Sequence, residues 1–151
     1  MMEQSYRRPF ALYWMISVGL LLWGLGGASI YVAYFVETPE HFASTAETAA
    51  NRQAYAEYIA RIPWWAIAAG IVAALTRLLG AFALLLRRAW ALPLYIVSLA
   101  SFVIGMFRAF VLAGVAGVMS GAHIATEVTF LGLGILAIWF AHVNKSRGLL
   151  R

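Results

Sequence analysis

The sequence predicts an all-α integral membrane protein, a four-helix up-down bundle with an extra outer-face amphipathic helix in the first loop. Of the 151 residues, 64% are hydrophobic and 11% are charged, whereas a soluble domain has about half apolar and a quarter charged residues. Four apolar stretches each have about the 20 residues that cross a bilayer. The basic residues behind the net charge of +5 lie at the ends of these stretches. Such placement indicates membrane topology, and we expect no nucleic-acid partner.

The predicted spans form a single transmembrane domain over residues 1–151. They cover about 10–35, 64–86, 90–112 and 121–143. Span 2 begins after Pro63, a residue that suits the first turn of a helix, and is followed by Arg87 and Arg88. Because the connections between spans 2 and 3 and between spans 3 and 4 are short, neighbouring helices are expected to run antiparallel.

Basic residues are concentrated on one side of the predicted membrane. That side carries Arg7, Arg8, Arg87, Arg88, Lys145, Arg147 and Arg151, and the other side carries Arg52 and Arg61 beside Glu37, Glu40, Glu47 and Glu57. Cytoplasmic loops hold the excess of Lys and Arg. We therefore expect a multi-pass protein of the bacterial inner membrane with both termini in the cytoplasm.

The long connection between spans 1 and 2 carries helix signals of its own. Ser44 and Glu47 have the spacing of a capping box, and Tyr55, Tyr58 and Ile59 fall on one helical face. We expect an outer-face helix over about 44–61 that lies along the membrane surface or caps the bundle. It would serve as an ordered connector, as a lid over an outward-facing pocket or as an element that docks a partner.

Arg77 is the deepest charge in the predicted spans. It lies about 13 residues, or about 20 Å, from the outer end of span 2, and its neighbours on the helix are small. No acidic residue is predicted at its depth. Arg77, Thr76 and Ser98 therefore form a candidate intramembrane polar site. The guanidinium would be satisfied by hydroxyls, carbonyls, water or a lipid phosphate, by Glu127 if the helices tilt, or by a bound anion or polar solute.

Arg108 and Glu127 are predicted at similar depth near the outer ends of spans 3 and 4. We expect an ion pair that links these spans. The alternative is a proton site, because His123 lies one turn before Glu127 on the same helical face. His123 and His142 are too far apart along one helix to hold a haem together.

The sequence contains no constellation typical of catalysis. It has no Walker loop, nucleophile elbow, HExxH motif or paired carboxylates, and its lack of cysteine excludes thiolate metal sites and disulfides. We expect a protein that is not an enzyme, with no catalytic residues, no cofactor and no metal site.

Residues 80–91 read GAFALLLRRAWA and are followed by Pro93-Leu94 and Ser98-Leu99, with Pro63-Trp64 upstream and Trp139-Phe140-Ala141 downstream. This pattern resembles a family of small four-span proteobacterial inner-membrane proteins, mostly uncharacterised and sometimes labelled sugar transporter. The resemblance covers most of the chain and implies the same four-span topology.

Two functions are compatible with these features. The first is a non-catalytic accessory or scaffold subunit of a larger inner-membrane complex, which would contact lipid and a protein partner. The alternative is an oligomeric permease for a small solute, a sugar or an anion, whose path includes Arg77. The first predicts a heteromeric contact and the second a symmetric homo-oligomer.

Overall fold

A computed structural model of the protein describes residues 3–36, 49–117 and 119–151. The described residues form five α-helices and contain no strand. The helices are α1 (Glu3–Val36), α2 (Ala49–Ala60), α3 (Trp64–Leu85), α4 (Ala91–Phe107) and α5 (Gly121–Ser146). Helix α4 continues into a π-helical turn (Arg108–Leu112), and a short 3-10 turn (Val115–Gly117) follows it.

Within the described part of the chain, four helical segments are long and apolar enough to cross a membrane: Ala11–Ser29, Trp64–Leu85, Ala91–Leu112 and Gly121–Ser146. The predicted all-α fold class is confirmed. The helices at the two ends of the chain extend further than the predicted spans, since α1 begins at Glu3 and α5 continues to Ser146. Hydropathy marks the part of a helix that lies in lipid, whereas the hydrogen-bonded helix continues beyond it.

Helix α1 buries one narrow face against the bundle. Its buried residues are Tyr13, Ser17, Leu20, Gly24 and Gly27. The separations between them are alternately four and three residues, as in a helix–helix seam. A Cβ atom on Gly24 would lie 3.2 Å from the Leu78 side chain of α3. The absence of a side chain therefore allows α1 and α3 to approach closely.

Helix α3 lies between α1 and α4 and makes the most extensive helix–helix contact of the described chain, with α4. Small residues make up most of its buried face, which comprises Gly70, Ala73, Ala74, Arg77, Gly80, Ala81, Ala83 and Leu84. Gly80 admits the ring of Tyr95 from α4, whose atoms would lie 3.2 Å from a Cβ atom there. Close backbone packing is how apolar helices associate where lipid competes for apolar contacts.

One end of the bundle is closed by aromatic packing and by the last residues of the chain. The hydroxyl of Tyr13 donates a hydrogen bond to the carbonyl of Leu84, and its ring stacks on Phe140 with centroids 5.6 Å apart. Leu150 is buried in the same apolar cluster. This cluster joins α1, α3 and α5 at the end where the α3–α4 turn lies.

Helix α2 corresponds to the predicted outer-face helix. Within the predicted range of 44–61, the structure has a helix over Ala49–Ala60, and residues 44–48, with the predicted capping box at Ser44 and Glu47, lie outside the described residues. Tyr55 of α2 is buried and contacts His123 of α5 edge-on, with ring centroids 5.8 Å apart. The face that carries Tyr55 is therefore directed toward the bundle.

The predicted continuous helix over 90–112 changes its hydrogen-bond pattern at Arg108. The amide of Ala113 donates to the carbonyl of Arg108 at 2.9 Å, five residues back, as in a π-helix. Such a turn changes the direction of the side chains relative to an uninterrupted α-helix. Arg108 and Ala109 are the buried residues of this turn.

Candidate functional site

Arg77 lies at the centre of the bundle, and its side chain is only 4% exposed. Its guanidinium carbon is 4.3 Å from the ring centroid of Trp23, 5.1 Å from that of Phe130 and 5.8 Å from that of Phe102. Trp23 belongs to α1, Phe102 to α4 and Phe130 to α5, while Arg77 belongs to α3. We call Trp23, Phe102 and Phe130 the aromatic cage; together with Arg77 it brings all four long helices to one point.

The rings of the aromatic cage also contact one another. Trp23 and Phe130 are 5.8 Å apart with their planes at 45°, and Phe102 and Phe130 are 6.3 Å apart at 30°. The face of an aromatic ring attracts a cation, with a free energy of about 2 kcal/mol or more when water is excluded. The cage therefore offers negative electrostatic potential around the guanidinium of Arg77.

Thr76 and Ser98 occupy different positions relative to Arg77. The hydroxyl of Thr76 donates to the carbonyl of Val72 at 2.6 Å, within its own helix. The buried hydroxyl of Ser98 donates to the carbonyl of Ala73 at 2.8 Å and so links α4 to α3 one turn from Arg77. Both hydroxyl protons thus satisfy backbone carbonyls of α3, whereas aromatic rings of three other helices lie against the guanidinium.

Gly27 makes room for the arginine side chain on α1. A Cβ atom on Gly27 would lie 2.5 Å from Nη1 of Arg77 and 3.3 Å from the ring of Phe130. The first separation is closer than real Cβ contacts allow. A side chain at this position would force the end of the arginine side chain to shift within the cage.

Two further hydrogen-bond donors are buried in this part of the bundle. The indole Nε1 of Trp23 and the hydroxyl of Tyr95 have no hydrogen-bond partner among the described residues. A buried donor without an acceptor raises the free energy of the folded state by about 1–3 kcal/mol. Together with the guanidinium, these groups make the centre of the bundle rich in donors.

Arg108 is buried near the other end of the bundle from the Tyr13 cluster, and it contacts α2. Its Nη2 donates to the carbonyl of Arg61 at 3.2 Å, and its guanidinium lies 4.1 Å from the ring centroid of Tyr58. The carbonyl of Arg61 directly follows the end of α2, where carbonyls have no partner within the helix. Arg108 therefore holds the C-terminal end of α2 against α4.

The predicted ion pair between Arg108 and Glu127 is not formed. Glu127 instead lies 3.7 Å from Nε2 of His123, one turn earlier on α5. The guanidinium of Arg108 instead donates to the backbone carbonyl at the end of α2 and lies over the ring of Tyr58. These contacts replace the predicted ion pair. His123 and Glu127 do lie together, as predicted, and both are partly exposed. The described residues contain no group of three or more His, Asp or Glu that could hold a metal ion.

The charges of Arg108 and Glu127 both act on the hydroxyl of Tyr58. Burial raises the pKa of its hydroxyl above the ordinary value of 10.0, and the nearby charge of Glu127 acts in the same direction. The positive charge of Arg108 lowers it in part. The net effect favours the neutral phenol that packs under the guanidinium.

The aromatic cage is the part of the site that sequence reasoning missed. Trp23 offered a signal, because tryptophan is typical of membrane interfaces and this one lies near the middle of span 1. A tryptophan and an arginine at similar depth in two neighbouring spans indicate a cation–π contact. Phe102 and Phe130 offered no such signal, since phenylalanine is common anywhere in a span.

The chain matches no protein-family model, no curated protein and no solved structure. The resemblance to small four-span proteobacterial membrane proteins therefore stays a prediction that rests on the sequence pattern.

Proposed function

We propose that this chain is a non-catalytic accessory or scaffold subunit of a larger complex in the bacterial inner membrane, with both termini in the cytoplasm. The observation that carries the proposal is an exposed seam on α1 whose glycines contact nothing. We call Met15, Gly19, Leu22 and Gly26 the α1 seam. Its residues recur at intervals of four, three and four, and they lie on the opposite side of α1 from its buried face.

The α1 seam has the chemistry of a helix–helix contact. Met15 is 71% exposed and Leu22 is 63% exposed. A Cβ atom on Gly19 or Gly26 would meet no atom within 4 Å. Glycines between larger apolar residues let a second helix approach closely inside a membrane. On the inward side of α1, Gly24 and Gly27 serve that purpose within the chain, so the outward glycines favour a contact with another protein.

Helix α5 supports the proposal with a second exposed seam. Val128, Gly132, Ile135 and Trp139 have the same spacing, and a Cβ atom on Gly132 would also meet nothing within 4 Å. Val128, Ile135 and Trp139 are all more than half exposed. Two such surfaces suit a small subunit that lies between larger ones.

The aromatic cage supports the same reading. Arg77 is the charge on which a solute path would depend, and its guanidinium is packed against three rings. An arginine held in this way stabilises the arrangement of the four helices. It does not require a bound solute for its charge to be satisfied.

Purification in mild detergent from the native membrane tests the proposal. We expect an unrelated protein to co-purify in a fixed ratio with the wild-type chain. The double variant Gly19→Ile and Gly26→Ile should lose this partner, because each new side chain fills the approach surface of the α1 seam. The double variant should still fold, since a Cβ atom at either position has no neighbour within 4 Å.

Leu25→Trp provides the matched control. Leu25 is 49% exposed on α1 and lies outside the seam, so added bulk there should leave the partner bound. Purification of the chain alone as a symmetric homo-oligomer would contradict the accessory role.

The donor-rich centre of the bundle favours a second candidate, an oligomeric permease for a sugar or an anion. Trp23 Nε1 and the Tyr95 hydroxyl are buried donors near Arg77, and the oxygen atoms of such a solute would accept from them. The path would continue toward His123, Thr126 and Glu127. Uptake of a labelled solute into proteoliposomes that contain only this chain would support the permease, and no accessory subunit would show it.

A further inference from the structure

A groove opens at the end of the bundle where the α3–α4 turn meets the last residues of the chain. Its volume is about 440 Å³, and it is lined by Leu86, Arg87, Arg88, Gly148, Leu149 and Arg151. Three of these six residues are arginines. We call this the arginine groove; it lies at the opposite end of the bundle from Arg108 and α2.

The backbone of the arginine groove is held by hydrogen bonds from both sides. The amide of Arg151 donates to the carbonyl of Arg87 at 2.8 Å, and the amide of Ala89 donates to the carbonyl of Arg151 at 2.8 Å. Leu150, which directly precedes Arg151, is buried in the apolar core. The last residues of the chain are thus paired with the α3–α4 turn, and Arg87 and Arg151 are fixed beside each other.

The α3–α4 turn itself is closed tightly. The amide of Arg88 donates to the carbonyl of Ala83 at 2.7 Å, and that of Arg87 to the carbonyl of Leu84 at 2.9 Å. Arg87 adopts a left-handed conformation with φ of 53°, which is unfavourable for a residue with a side chain. Glycine is the usual residue at such a position, and here the hydrogen bonds of the turn hold the arginine in this conformation.

We propose that the arginine groove binds the phosphate group of an anionic membrane lipid. Guanidinium groups bind phosphate oxygens through pairs of parallel hydrogen bonds, and basic pockets between membrane helices on the cytoplasmic side are suited to lipid headgroups. In the predicted topology this groove faces the cytoplasm. Seven basic side chains and a single acidic side chain, Glu3, are predicted at this end, so the side-chain charges around the groove also favour an anion.

The surroundings of the groove are typical of the depth of lipid headgroups. Trp90 directly follows Ala89, whose amide donates to Arg151, and its side chain is 45% exposed, as is common in the aromatic belt at a membrane interface. The guanidinium of Arg87 lies 5.8 Å from the ring centroid of Trp14 and 6.0 Å from that of Tyr13. These contacts place the guanidinium of Arg87 beside α1 at this end of the bundle.

The lining of the groove favours a lipid over a free phosphate ion. Leu86 is 65% exposed and Leu149 is 39% exposed, and both border the same groove as the three arginines. A lipid presents a phosphate next to acyl chains, and it would meet the arginines with its headgroup and the leucines with its chains. Inorganic phosphate would gain nothing from the leucines.

Lipid titration of the delipidated full-length chain in detergent tests the proposal. Phosphatidylglycerol should bind at least about tenfold more tightly than phosphatidylcholine, because the headgroup carries a net negative charge. In the double variant Arg88→Gln and Arg151→Gln, the affinity for phosphatidylglycerol should fall about tenfold. The variant Arg88→Lys and Arg151→Lys keeps both charges and should recover most of that affinity.

The matched control is Lys145→Gln with Arg147→Gln. These two exposed cations lie at the same end of the bundle and do not line the groove, so the same loss of charge should weaken binding by about twofold or less. An equal loss in the control and in the groove variant would overturn the site. If the double variant does not fold, Arg88→Gln alone gives the same comparison at an exposed side chain. Inorganic phosphate that binds as tightly as phosphatidylglycerol would overturn the assignment to lipid.

Discussion

Arg77 illustrates how aromatic rings from several helices can surround a charge inside a membrane protein. Its depth could be predicted by counting residues along span 2. The rings of Trp23, Phe102 and Phe130 that surround it were not predicted, since they come from three other helices and meet only after packing. The depth of a residue in the membrane follows from its place along a span, which the sequence gives. The rotation of each helix about its own axis depends on tertiary contacts.

Gly27 and Gly26 offer a matched pair of substitutions at the residue scale. Gly27→Ala places a Cβ atom 2.5 Å from Nη1 of Arg77, so we expect it to lower the free energy of unfolding by about 1–3 kcal/mol. Gly26→Ala meets no atom within 4 Å and should be neutral or stabilising by up to about 1 kcal/mol. Unfolding in mixed micelles measures both. If the two variants were equally stable, Gly27 would not be accommodating the arginine.

At the scale of elements, Arg108 links the π-helical turn to the end of α2. The capping pattern and the apolar face predicted a helix before span 2, and its described part does have Tyr55 against the bundle. The link between Arg108 and the end of α2 was not predicted. The sequence predicted a pair between Arg108 and the acid expected at its depth. In the structure its partners are a backbone carbonyl at the end of α2 and the ring of Tyr58. Neither partner carries a charge that could be recognised in the sequence.

A double-mutant cycle distinguishes these partners of Arg108. The cycle of Arg108→Met with Tyr58→Leu should give a coupling energy of about 0.5–1 kcal/mol, the range for a cation over a partly exposed ring. The cycle of Arg108→Met with Glu127→Gln should give less than about 0.5 kcal/mol, because no ion pair joins these residues. A larger coupling with Glu127 than with Tyr58 would restore the ion pair and contradict the structure.

The docking of α2 should weaken in alkaline solution. Because the pKa of Tyr58 is raised in the docked state, an undocked Tyr58 ionises first as the pH passes its ordinary value of 10.0. The resulting stability is complete below that value and is lost as the pH rises through the raised pKa. Hydrogen exchange of α2 should therefore increase above pH of about 10, relative to exchange in α3. A Tyr58→Phe variant should lack this increase.

At the scale of the whole molecule, four apolar segments and the placement of arginines were enough to predict the bundle. Length and hydropathy determine how many times the chain crosses a membrane, and short connections determine that neighbours are antiparallel. The seams on α1 and α5 were not predicted as separate surfaces. Glycines recur on both sides of α1, and only the packed structure separates the inward Gly24 and Gly27 from the outward Gly19 and Gly26.

The central claim is that Arg77 lies in a dry, packed core and not on a solute path. Cysteine accessibility tests it directly, because the chain contains no cysteine of its own. Ser98→Cys changes one atom of a side chain that is 3% exposed and hydrogen-bonds to the carbonyl of Ala73, one turn from Arg77, and Ser146→Cys at the exposed end of α5 is the control. We predict that a charged, membrane-impermeant thiol reagent modifies position 146 from the cytoplasmic side within minutes and leaves position 98 unmodified from either side. Rapid modification of position 98 that a sugar or an anion slows would contradict the claim and assign Arg77 to a path across the membrane.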